Sequence, residues 1–181
     1  MKPIIKWAIL ALIIIFFAAC GGSNTGKSEN KDTASTRMDE NSISVAVIQL
    51  KDDKLNAVYQ HYVHLTTALI NGDDVEAKIA SNAIETGAKE IAGGKGIEMA
   101  AAKIIAAKDI EEQRAAYSSL SSDFISLVKK SGLNSGELYV DFCPMAMNDK
   151  GAYWLSENKE IKNPYLGEKM MTCGDIKDSI K

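Results

Sequence analysis

The sequence predicts an all-α protein: an up-down four-helix bundle with an irregular, Cys/Met-rich flap at its C-terminal end. Three features point there. Between residues 53 and 131 apolar side chains step by three and four in four successive segments, as one face of a helix requires. The segments are separated by short glycine-containing or aspartate-containing breaks, which favour antiparallel neighbours. Beyond Gly132 the helical rhythm stops, and cysteine, methionine, glycine and proline become frequent.

In the first helix Leu55, Val58, Tyr62, Leu65 and Leu69 form the inward stripe, and Asn71-Gly72 ends it. Asp73 or Asp74 caps the second, whose expected inner residues are Val75, Ile79, Ala83 and Ile91, up to the Gly93-Gly94 and Gly96 interruption. An alanine-rich third helix carries Ile97, Ala101, Ile104 and Ile105. Asp109 opens the fourth, where Ile110, Tyr117, Leu120, Phe124 and Leu127 repeat the rhythm until Ser131-Gly132. The stretch 43–50 alternates less cleanly and fits either a short strand or an extra helical turn. After Gly136, Leu138, Val140 and Phe142 lie on one side of an extended segment leading into Cys143-Pro144, where the proline restrains the cysteine to an extended backbone.

The first 19 residues have the layout of an export signal, with Lys2 and Lys6 ahead of an apolar run from Trp7 to Ala19. That run is short for a membrane span. Phe17-Ala18-Ala19-Cys20 resembles a bacterial lipobox, so Cys20 is expected to carry covalent lipid and to hold the protein at a membrane. Residues 20–42 are polar and read as a flexible tether, leaving 43–181 as one folded domain. Within the tether, GGSNTGKS satisfies the phosphate-loop spacing but has neither the preceding buried strand nor the following helix, so no nucleotide site is expected. Loss of Lys2 and Lys6 with the leader takes the formal net charge from -3 to about -5, which argues against nucleic-acid binding.

With Cys20 lipidated, Cys143 and Cys173 are the remaining pair, in an oxidising compartment. They sit in two sulfur clusters, Cys143-Pro144-Met145-Ala146-Met147 and Met170-Met171-Thr172-Cys173. Thiolates and thioethers select monovalent copper among common metals. The same cysteines could instead close a disulfide over a loop of about 30 residues, stabilising the fold by roughly 3 to 4 kcal/mol, with the methionines as core filler beneath it. His61 and His64 share a side of the first helix and lack an obvious third ligand. Arg114 is expected to pair with a carboxylate or a loop carbonyl, and Tyr165 to anchor the Asn163-Pro164 turn. No nucleophile-base set or cofactor fingerprint stands in a plausible context, so the chain is not expected to be an enzyme.

The stretch CPMAMNDKGAYWLSENKEIKNPYLGEKMMTCG, residues 143–174, resembles domain of unknown function 3347, a bacterial family. Tyr62, Ala68-Leu69, Asp73, Gln113-Arg114 and Leu120-Ser121 extend the likeness to about residues 55–175. The resemblance implies a helical bundle exported as a lipoprotein or periplasmic protein. It also implies an association with copper and silver efflux components. The sulfur positions it matches are Cys143, Met145, Met170 and Cys173; Met147 and Met171 fall outside the pattern, and Leu166 replaces a phenylalanine. The leading expectation is a lipid-anchored, periplasm-facing protein that binds or buffers monovalent copper or silver through those four residues. The alternative is a structural or interaction module of the envelope, stapled by a Cys143 to Cys173 disulfide without metal.

Overall fold

The computed structural model describes residues 47–181. The expected leader, the lipid-bearing Cys20, the 20–42 tether and the start of the 43–50 segment lie outside the described residues.

The four expected helices are present. They are α1 (Asp53–Asn71), α2 (Asp74–Ala88), α3 (Lys95–Ala106) and α4 (Ile110–Ser131). Asp52, Asp73 and Asp109 cap α1, α2 and α4, each accepting from the backbone N–H three residues on. Gly72 closes α1 in the left-handed conformation, its N–H bonding back to Ala68 and Leu69. Consecutive helices pack side by side, and α4 returns to α1 through aromatic contacts. Tyr62 stacks on Phe124 at 4.6 Å between ring centroids and lies 5.8 Å from Tyr117.

On α2 the inner face differs from the expected one. Val75 and Ile79 are exposed, whereas Ala77, Ala80, Ser81, Ile84 and Ala88 are buried. Small residues win this face because α1 approaches closely: a Cβ at Gly87 would collide with the Val58 side chain.

The all-α expectation is wrong; the fold is mixed α/β. Strands β1 (Gln49–Leu50) and β2 (Leu133–Ser135) pair antiparallel, tying the entry to α1 against the exit from α4. What the sequence suggests is an irregular flap is instead largely a three-stranded antiparallel sheet of order β4-β3-β5. Its strands are β3 (Leu138–Cys143), β4 (Ala152–Ser156) and β5 (Asp175–Ile180). Between β3 and β4 lies α5 (Ala146–Asp149), one turn whose Met147, Asn148 and Asp149 are left-handed, at φ 56, 54 and 61. The physical reason for the difference is that β3 is a central strand, hydrogen-bonded on both edges and buried at Leu138, Val140, Asp141 and Cys143. The register sets Cys143 opposite Ala152 and Asp141 opposite Trp154. On β5 only Ile180 is buried, so that strand is recruited by backbone pairing rather than by an apolar face.

The sheet is bolted to the bundle by a buried polar cluster. The Leu155 N–H donates to Tyr62 Oη at 2.9 Å, and Tyr62 Oη also meets Ser121 Oγ at 2.7 Å and Tyr117 Oη at 2.9 Å. Burial pushes both tyrosine hydroxyls above their ordinary range, so both stay protonated donors. Among the described residues no helix is long and apolar enough to cross a membrane.

Candidate functional site

Cys143 ends the central strand β3, and its position is fixed by the ladder. Cys173 reaches it from the other side, on the segment between a 3-10 turn (Gly167–Lys169) and β5. Both are free thiols, Cys143 fully buried and Cys173 half-buried. Their sulfur atoms lie 2.7 Å apart. That falls between the ~2.05 Å of a disulfide bond and the roughly 3.7 to 4.6 Å that two sulfurs keep when both hold one ion through ~2.3 Å bonds.

The Cys173 thiol is pushed up to about 11, first by its hydrogen bond with Cys143, then by desolvation and the charge repulsion of Cys143 and Asp175; the Met145 backbone N–H pulls the other way. A metal ion would have to displace this proton.

Of the four proposed sulfur ligands, the structure brings the two thiols together. Met145 and Met170 flank them in sequence with exposed side chains, so neither is core filler. Met147, outside the resemblance pattern, packs against the core. Among the described residues no group of three or more His, Cys, Asp or Glu side chains is placed to hold a metal ion. His64 is taken up by Glu76 on α2, Nε2 to Oε2 3.0 Å, and His61 lines the groove between α1 and α2 beside Ile79 and Asn82.

Arg114 meets the expectation of a loop-carbonyl partner. Its Nε donates to Pro164 O at 3.0 Å and its Nη2 to Leu69 O at 2.8 Å, with Glu111 at 3.3 Å from Nη1. Gly167 makes this possible: its backbone is left-handed at φ 53, and a Cβ there would strike the guanidinium. Tyr165 anchors the same turn from beneath, buried, its hydroxyl donating to Tyr153 O at 2.6 Å and its ring edge-on to Trp154.

Two residues stand out that sequence reasoning passes over. Asn163, wholly buried, bonds the backbone on both sides of Thr172, through Met171 O and Cys173 O. Its only signal is the Asn-Pro dipeptide of a turn. Asp141 is buried in the centre of the sheet with neither carboxylate oxygen hydrogen-bonded among the described residues. Desolvation pushes its carboxyl up to about 7. A lone acid inside the apolar run Leu138 to Phe142 is the signal that marks it.

Comparison with known proteins turns up no match among curated proteins and none among solved structures. One family model matches residues 58–136, which run from the first turns of α1 through β2 and stop before Cys143, leaving the sulfur motif outside the matched segment. Over that segment, residues 58–136, the chain is similar to the family described as Protein of unknown function (DUF3347).

Proposed function

We propose that this is a lipid-anchored, periplasm-facing protein that binds or buffers monovalent copper or silver in connection with heavy-metal efflux, a carrier rather than a catalyst. One observation carries the reading: two thiols 30 residues apart meet at a half-open position, with the Met145 and Met170 thioethers exposed within three residues of them. Two thiolates satisfy a soft monovalent ion, and exposed thioethers offer transient ligands on its way in or out. The export signal and the lipobox-like Phe17 to Cys20 support an envelope location, and the resemblance of the 143–174 motif supports the link to efflux.

The 2.7 Å separation favours a second reading, in which the pair closes to a disulfide that staples the sheet to its return segment and the protein acts as an envelope interaction module. Thiol quantitation on the protein as isolated and after reduction, followed by titration with monovalent copper, separates the two. Sub-micromolar uptake by the reduced protein, lost in a Cys143→Ser, Cys173→Ser double variant, supports the carrier. A persistent disulfide with no uptake after reduction leaves the staple. For the anchor, Cys20→Ala should abolish labelling by a fatty-acid analogue.

A further inference from the structure

Cys143 is held by a strand ladder, but Cys173 precedes β5 and has no strand partner. Its own N–H makes only a local turn, to Met170 O at 3.1 Å. What fastens the segment is Asn163. Its backbone N–H donates to Met171 O at 2.8 Å, and its side-chain Nδ2 donates to Cys173 O at 2.7 Å. Its Oδ1 accepts from Tyr165 N at 2.8 Å and Leu166 N at 3.0 Å, and its carbonyl accepts from Gly167 N at 3.0 Å. The turn so formed is itself pinned, because the next carbonyl, Pro164 O, receives Arg114 Nε while Arg114 Nη2 holds Leu69 at the end of α1. A continuous run of hydrogen bonds therefore leads from the rigid helices to the backbone of Cys173.

We infer that Asn163 is the positioning residue of the thiol pair: its Nδ2 donation to the Cys173 carbonyl holds the Cys173 sulfur at Cys143. It thereby governs how readily the pair closes to a disulfide and how firmly it grips a soft ion. This rests on Cys143 and Cys173 being the working pair, yet closure is measurable without metal.

With oxidised glutathione as the oxidant, the half-buried Cys173, as thiolate, attacks the glutathione disulfide, forming a mixed disulfide and releasing one glutathione thiolate. Cys143, as thiolate, then attacks Cys173 Sγ, forming the protein disulfide and releasing the second glutathione. One S–S bond breaks and one forms, and the two protein thiol protons end on two glutathione thiols. The second displacement is intramolecular, so its equilibrium reports the effective concentration of one sulfur at the other, which is the quantity Asn163 sets.

The test is a glutathione redox titration of the mature protein, wild type against Asn163→Asp and Asn163→Ala. Aspartate keeps the acceptor for Tyr165 and Leu166 but removes the donor to Cys173 O. The closing constant of Asn163→Asp, measured well below the thermal midpoint of its dithiol form, which the buried carboxylate lowers, is expected to fall about tenfold, the factor one lost hydrogen bond is worth. Asn163→Ala should lose as much or more. Equal closing constants in wild type and Asn163→Asp would overturn the inference. Should neither variant fold, the wild-type dithiol decides by NMR. Slow solvent exchange of the Asn163 side-chain amide protons is expected, and exchange at the rate of a free amide overturns it. Absence of silver uptake by the reduced wild type would remove the carrier function and leave the glutathione result standing.

Discussion

Cys143 Sγ lies 2.7 Å from Cys173 Sγ although 30 residues separate the two in the chain. Between them runs everything that joins β3 to the return segment: α5, β4, the Asn163 turn and the 3-10 turn at Gly167–Lys169. Oxidation should therefore stabilise the protein by restricting the unfolded chain, by about 3 to 4 kcal/mol for a loop of this length. Urea midpoints of the oxidised and fully reduced forms measure it. Identical midpoints would contradict the stabilisation expected from closing this loop.

Asp141 gives a pH signature. A carboxyl pushed up to about 7 by burial holds its proton more tightly in the folded chain than in the unfolded one. Its contribution to stability is full below the ordinary carboxylate range and declines as pH rises towards 7, by about 1.4 kcal/mol per pH unit, after which the loss is constant. Asp141→Asn removes the titrating group, so this variant should be more stable than wild type at about pH 8 and close to it near pH 4. Denaturant melts across that range test this. A variant whose stability follows the wild-type pH curve unchanged would contradict it.

Arg114 holds Leu69 O, which also receives the Gly72 N–H that closes α1, and Pro164 O in the Asn163 turn. Replacing it with methionine keeps apolar bulk but orphans Pro164 O and leaves Leu69 O with the Gly72 N–H alone, at a cost of about 1 to 3 kcal/mol. Lysine should recover little, since one ammonium lacks the fork that spans both carbonyls. Full stability of Arg114→Lys would show that the guanidinium geometry is immaterial.

Tyr62 Oη accepts the Leu155 N–H, linking β4 to α1. Tyr62→Phe leaves that buried N–H and the hydroxyls of Ser121 and Tyr117 short of a partner, so a loss of about 1 to 3 kcal/mol is expected. Hydrogen exchange at the Leu155 amide should accelerate in the same variant. An unchanged rate there would mean that the sheet is held to the bundle by packing alone.

The helical half is legible because Leu55, Val58, Tyr62, Leu65 and Leu69, and likewise Tyr117, Leu120 and Phe124, are both apolar and buried. Asp52, Asp73 and Asp109 mark the starts chemically, through their caps. The inner face of α2 is not legible from apolar size, because close approach to α1 selects Ala77, Ala80 and Ala88 over the larger Val75 and Ile79. Strand β5 has no apolar alternation to read, since its backbone hydrogen bonds do the recruiting. The soft composition of the candidate site can be read from sequence, and the exposure of Met145 and Met170 cannot. Nor can Asn163 be read as more than a turn residue, because its partners, Met171 and Cys173, are fixed only when the segment folds back.

The most direct measurement of the central claim is a silver titration of the fully reduced mature protein, followed by mass spectrometry under non-denaturing conditions and by thiol accessibility. Silver is redox-inert here, so uptake is not confused with oxidation. One equivalent bound, with Cys143 and Cys173 protected together and uptake lost in the double serine variant, is the expected result. No uptake by the reduced wild type, or equal uptake by the double variant, would contradict a soft-metal site at this pair.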